Sequence, residues 1–166
     1  MSHMSATDIQ PPRTHTYRST VRWTGDRGTG TSGYRDYDRL YDVMVDGKPT
    51  IKGSSDPLYR GDPARHNPED LLLGAVSACH MLWYLHLCAD ARVAVVDYVD
   101  DCDGQLAENA DGSGRFTAIT LRPRVTVTAA SDTELARRLH ADAGRMCPLA
   151  ASLAFPVHYE ATIFSE

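Results

Sequence analysis

The sequence has no basic patch. Arg137-Arg138 is its nearest approach to one, and the net charge is −5, so nucleic acid is not expected as the main partner. Four cysteines in 166 residues are too few for a disulfide scaffold. No signal-peptide pattern opens the chain, and a cytoplasmic protein with reduced thiols is expected. No CxxC or HxxxH spacing is present, and His80 faces away from His86 on a helix, so no metal site is expected. The glycine-rich stretch GDRGTGTSG is not followed by a helix, which excludes a phosphate loop there. Internal repeats and low-complexity tracts are absent. The apolar run from Leu71 to Ala89 is nearly long enough to span a bilayer, but it has no companion and strand-like segments flank it. It is read as a helix buried in a soluble protein or dimer, and no membrane partner is expected.

What remains is enough chain for one domain with its own core. Residues 1–13 read as a disordered tail that includes a cloning remnant, MSHM, and residues 14–166 as a single domain. Thr14 to Thr24, Tyr34 to Val45 and Pro49 to Gly53 read as strands, the last two joined by a hairpin turn at Asp46-Gly47. Together they form an N-terminal antiparallel meander, on which Tyr17, Trp23, Tyr34, Tyr37 and Tyr41 are expected to alternate. Asn67 then caps a long helix reaching about Ala89, with Pro68 at its first position and Glu69 and Asp70 in its first turn. Val93 to Ala107 and Phe116 to Thr128 read as two long strands. A capping box of Ser131 and Glu134 starts a second helix that ends near Arg145. Cys147-Pro148 opens a short third helical piece, and Val157 to Phe164 is a final strand. The order βββ-α-ββ-α-β predicts an α+β fold and not a parallel βαβ one.

Two cysteines stand where local structure controls reactivity. Cys79 lies inside the long helix, and Cys147 directly precedes a proline at a helix start, where unsatisfied amides favour an anion. Together they suggest a dithiol that cycles through a disulfide. Burial within the helix raises the pKa of Cys79 unless a cation comes close. The loop before the helix offers Arg60 and Arg65, and Glu69 is the natural carboxylate to hold a guanidinium through two hydrogen bonds. Glu69 and Cys79 are about 15 Å apart along one helix axis, so Glu69 cannot touch that thiol itself. An Arg–Glu pair reaches it by folding back, or from an antiparallel copy of the helix in a second subunit. The all-apolar helix needs covering on every side and favours the second route, predicting a homodimer with shared active sites.

NPEDLLLGAVSACHMLWYLH resembles the NPE-x-L…(A/G)C segment of the OsmC/Ohr family of thiol-dependent organic hydroperoxide reductases. MCPLAASL resembles the family's second cysteine motif, and the step from Glu69 to Cys79 and the order of elements agree as well. The resemblance implies an OsmC-like fold in an intertwined homodimer. It implies a peroxidatic Cys79, a resolving Cys147, an activating Arg60 and a Glu69 that orients this arginine. Arg65 is the rival to Arg60, but it lies too near the helix start to double back easily. The implied reaction is reduction of an organic hydroperoxide to an alcohol, with both thiols restored by an external dithiol such as a lipoyl group. No cofactor is required. A redox sensor or small-molecule binder using the same dimer pocket is the alternative. A cysteine hydrolase with His80 or His86 as base is a second one. Cys88, on roughly the opposite helix face from Cys79, and Cys102, in an acidic strand, are expected to be bystanders. Packing or pocket-lining roles are expected for His80 and His86.

Overall fold

The computed structural model describes residues 13–166, so all but the last residue of the expected tail lies outside the described residues. The chain divides into two compact units, one ending at His66 and one spanning Asn67–Glu166.

In the first unit, β1 (Thr20–Trp23), β2 (Tyr41–Met44) and β3 (Ile51–Gly53) form the expected antiparallel meander. The Asp46-Gly47 turn closes through a bond from the Lys48 N–H to the Val45 carbonyl, 3.1 Å. Gly47 takes φ 71° there, a left-handed conformation that glycine adopts without a Cβ clash. The strands are shorter than their alternation predicted. Tyr17 precedes β1 and is 91% exposed. Tyr34 and Tyr37 lie in the loop before β2 and flank the Arg39 guanidinium at 4.4 and 4.1 Å. Trp23 and Tyr41 are on strands. Local bonds keep the glycine-rich stretch out of the ladder: the Asp26 carboxylate accepts from the Gly28 and Gly30 N–H groups at 2.8 and 2.9 Å, an alternative that short acidic side chains offer the backbone.

The second unit opens on α1 (Pro68–Asp90), whose start is the one the sequence predicted. The Asn67 side chain accepts from the Asp70 N–H at 2.7 Å, and the Asp70 carboxylate accepts from the Asn67 N–H at 3.2 Å. Pro68 fills a position whose N–H has no helical partner. The helix is long and apolar enough to cross a membrane, yet within one chain it buries a single stripe, Val76, His80, Tyr84 and Cys88. Leu82, on the other side, is 63% exposed. The expected all-round burial is therefore not met by one chain, because only one face of α1 is stacked on the rest of its unit.

Both long strands predicted after α1, and the final strand as well, are bent in two. They become β4 (Val95–Asp100) and β5 (Asp103–Glu108), β6 (Gly114–Leu121) and β7 (Pro123–Val127), and β8 (Val157–Tyr159) and β9 (Thr162–Ser165). One half of each joins a sheet ordered β4-β7-β9, the other a sheet ordered β5-β6-β8. The bend is pinned by Arg122. Its backbone N–H donates to Asp100 at 2.6 Å, and its guanidinium pairs with Asp103 and, at 2.9 Å, with Glu160. Asp100 also accepts from Ser77 of α1 at 2.5 Å, fastening the helix to the corner. Pro123 follows at once and has no N–H to give the ladder.

Helix α2 (Thr133–Met146) begins one residue later than expected. Asp132 is its cap, accepting from the Glu134 and Leu135 N–H groups, while Ser131 accepts from the Ala94 N–H instead. It crosses over so that β8 and β9 pair parallel to β6 and β7. The α+β class holds, with parallel pairs that the order of elements did not reveal. The core of the unit has two clusters, one around Tyr84, Val125, Val127 and Leu139, the other around Val76, Ile119 and Leu121.

Candidate active site

The second unit brings the two predicted thiols together. Cys79 lies beside the buried stripe of α1 and is half-buried, whereas Cys147 is fully buried. Cys147 ends α2, its N–H bonded to the Ala143 carbonyl at 3.0 Å, and caps α3 (Pro148–Ala151). Both roles follow from Pro148, which cannot extend α2 but suits the first position of a new helix. Cys147 Sγ donates to Cys79 Sγ across 2.8 Å. This is hydrogen-bond contact between free thiols, longer than the ~2.05 Å of a covalent bond.

The electrostatics reverse one expectation. Cys147 was expected to gain acidity from the helix start, and the Ala150 N–H does donate to its sulfur at 3.4 Å. Burial and the hydrogen bond to Cys79 outweigh that amide and push the Cys147 thiol up to about 11. A four-residue helix offers little dipole to oppose desolvation. Cys147 therefore keeps its proton at neutral pH, with its sulfur in contact with that of Cys79.

Behind the dithiol runs a stack of rings. Tyr159 of β8 lies on His80 at 4.5 Å between centroids, and Tyr84 lies on His140 of α2 at 3.8 Å. His80 Nε2 and His140 Nδ1 are hydrogen-bonded at 3.0 Å. Burial pushes His80 down to about 4; burial and the neighbouring His80 push His140 down to about 3. The outer nitrogens, His80 Nδ1 and His140 Nε2, are buried without a hydrogen-bond partner. His80 takes the packing role, whereas His86 lies on the exposed side of α1, 3.5 Å from Asp90, where it lines a shallow pocket with Leu82 and Trp83. Sequence reasoning missed His140 and Tyr159. The one signal for His140 was a polar residue on the apolar face of α2, among Ala136, Leu139 and Ala143.

The remaining candidates occupy both units. In the first, Arg60 closes a 3-10 turn over Pro57–Tyr59 in a left-handed conformation, φ 66°. Its guanidinium stands 6.0 Å from the centre of the Tyr34 ring. Arg65 pairs with Asp62 at 3.5 Å. In the second, Glu69 occupies the first turn of α1. Cys88 is buried in the core cluster around Tyr84, and Cys102 packs against the cluster around Val76. Burial raises the Cys88 thiol, and burial and the charge of Asp100 raise Cys102, which sits at the bend between β4 and β5. A cleft of about 450 Å³ beside β6, lined in part by Arg115, Phe116, Leu153 and Phe155, includes neither Cys79 nor Cys147. Among the described residues no cluster of three or more metal-ligating side chains occurs.

Solved structures share this architecture. An OsmC-like protein of unknown function from Vibrio cholerae is 26% identical and superposes with a TM-score of 0.81, over 90% of this chain and 100% of that one. An organic hydroperoxide resistance protein from Elizabethkingia anophelis is 16% identical, with a TM-score of 0.65 over 93% of this chain and 100% of that one. An organic hydroperoxide resistance protein from Legionella pneumophila is 16% identical, with a TM-score of 0.64 over 91% and 99%. No curated protein matches the sequence. The family model described as OsmC-like protein matches residues 61–162, a span that takes in α1, the strands from β4 to β8 and the two cysteine motifs. The chain belongs to the OsmC-like family.

Proposed function

We propose that this protein is a thiol-dependent reductase of organic hydroperoxides. The observation that carries the reading is the 2.8 Å contact from Cys147 Sγ to Cys79 Sγ. It pairs a half-buried sulfur with a buried, protonated one. The Cys79 thiolate attacks the outer peroxide oxygen, the O–O bond breaks, and the alkoxide leaves and takes a proton to become the alcohol. Cys79 is then a sulfenic acid. Cys147 attacks it, forming the disulfide and releasing water, which keeps Cys79 from further oxidation. Two thiols of an external dithiol, by family resemblance a lipoyl group, reduce the disulfide by exchange.

The hydrolase alternative finds no support in the site. His80 directs Nε2 to His140 and leaves Nδ1 without a partner, and His86 pairs with Asp90. The sulfur partner of Cys79 is Cys147. A simple small-molecule binder at the same pocket has no need of a second thiol in contact.

Arg60 is assigned the activation of Cys79 and Glu69 the orientation of that arginine. Two features support Arg60 over Arg65: Arg65 is already paired with Asp62, and Arg60 holds a left-handed backbone of a kind that collects at functional sites. Arg60→Ala should slow the first attack on peroxide by about 10- to 100-fold at neutral pH, because an unassisted thiol is only a few per cent ionised. Arg65→Ala should change it by less than about twofold. Stopped-flow kinetics on the two variants decide between them, and the reverse ranking removes Arg60 from the scheme. The exposed side of α1, with Ala75, Ala78 and Leu82, supports a homodimer in which a second copy covers that face.

Mass spectrometry after one equivalent of an organic hydroperoxide tests the reading directly. A Cys79–Cys147 disulfide should form before any adduct at Cys88 or Cys102. Early modification of either bystander, with Cys79 still reduced, would overturn it.

A further inference from the structure

The interior of α2 contains an unexplained glycine. Gly144 lies in the helix three residues before Cys147, where alanine makes a more stable helix. A Cβ there would come within 2.9 Å of two ring atoms of Tyr159 and 3.0 Å of its hydroxyl. Such approaches are too close for a side chain to occupy, so the missing methyl group is the space that Tyr159 fills. The ring has little freedom to retreat. Its face is stacked on His80 at 4.5 Å, and His80 is tied to His140 on α2.

The ring therefore touches the residue that follows Cys79 and the residue one helical turn before Cys147. Its hydroxyl also senses the dithiol: after burial, the nearest causes that raise its pKa are Cys147 and then Cys79. We propose that Tyr159 is the positioning residue of this dithiol, a spacer between α1 and the end of α2 that holds the two sulfurs at reacting distance, with Gly144 as its seat. The inference rests on the dithiol reading above. In the step it assists, the Cys147 sulfur bonds to the Cys79 sulfur, the sulfenic oxygen leaves as water, and the Cys147 proton goes to that water.

Equilibration with oxidised and reduced glutathione tests the spacing without peroxide. There, two protein thiols are oxidised to one disulfide while oxidised glutathione is reduced to two thiols, and the balance gives the effective concentration of Cys147 at Cys79. Effective concentration reports how well the fold pre-aligns the two thiols, and well-oriented pairs exceed loosely held ones by orders of magnitude. Tyr159→Leu should accordingly lower the effective concentration on the order of 10-fold or more. Gly144→Ala should lower it in the same direction while leaving the far-ultraviolet circular dichroism unchanged, which guards against a Tyr159→Leu protein that fails to fold. Tyr159→Phe keeps the ring and should restore the wild-type value within about twofold. A wild-type value in either Tyr159→Leu or Gly144→Ala overturns the spacer, and so does a Tyr159→Phe protein as impaired as Tyr159→Leu. A wild-type protein that forms no Cys79–Cys147 disulfide in this buffer overturns the dithiol reading itself, a different result from a variant that matches wild type.

Discussion

Hydroperoxide consumption by the Cys79→Ser protein should fall to the uncatalysed background, a loss on the order of 10³-fold or more, as expected when the nucleophile itself is removed. Cys147→Ser should behave differently. Cys79 still meets the first peroxide, so single-turnover consumption of one equivalent survives. The sulfenic acid then has no neighbouring thiol, steady-state turnover falls, and Cys79 proceeds to the sulfinic acid under excess peroxide. Stopped-flow kinetics with intact-mass spectrometry separate the two outcomes. Undiminished consumption by Cys79→Ser, or steady-state turnover unchanged in Cys147→Ser, would sink the two-cysteine cycle. The asymmetry is rooted in burial. Cys147 is fully enclosed and its thiol is pushed up to about 11, so under the proposed cycle it is expected to stay protonated until its partner is oxidised.

Acid should destabilise the fold through a second pair. His80 and His140 are buried with their pKa values held down to about 4 and about 3, chiefly by desolvation of the charged form. The groups packed against them are the rings of Tyr159 and Tyr84, with Tyr98 one ring beyond. In the unfolded chain both imidazoles take up protons near pH 6.5. A depressed folded pKa means the unfolded state binds more protons, so stability rises with pH across this window. The contribution is complete above about pH 6.5 and is lost as pH falls toward 4. Each histidine contributes a slope approaching about 1.4 kcal/mol per pH unit in that range. Urea denaturation between pH 7 and 4.5 measures it. The double variant His80→Phe, His140→Phe should flatten the slope, since replacing both partners of a buried hydrogen bond by apolar groups is far less costly than orphaning one. A wild-type slope that persists in the double variant would show that other groups carry the acid sensitivity.

The two results bear on separate layers of the molecule. The cysteines lie where α1 meets the end of α2, Cys79 half-buried and Cys147 enclosed. The imidazoles lock the interior of that same contact, and Tyr159 touches both layers. Loss of the histidine pair at low pH should therefore loosen the helix packing that aligns the sulfurs.

Much of this was legible in the sequence wherever the interactions are local. Asn67, Pro68 and Asp70 specify the start of α1 because each satisfies, or has no need to satisfy, a backbone group within three residues. Asp46-Gly47 specifies the turn of the first hairpin for the same reason. Errors arose where two local solutions compete. Ser131 and Asp132 are both good caps, and Ala94, far away in the chain, takes the serine. Alternation continued through residues 34–40, yet Arg39 sits between Tyr34 and Tyr37 and holds them in a loop. The bends in the long strands were invisible because Arg122 reaches Asp103 on one neighbouring arm and Glu160 on another.

By itself, then, the sequence determined that this chain carries a cysteine inside a long capped helix and another before a proline, in an α+β order. The Asn67 cap and the Cys147-Pro148 junction are made by neighbours in the chain. Tertiary structure alone decided that the sulfurs stand 2.8 Å apart, that Cys147 is the protonated partner, and that Tyr159 lies between His80 and Gly144. Each of those depends on burial and on contacts between residues distant in sequence. Desolvation and close packing are properties of the assembled core, and no stretch of neighbouring residues contains them.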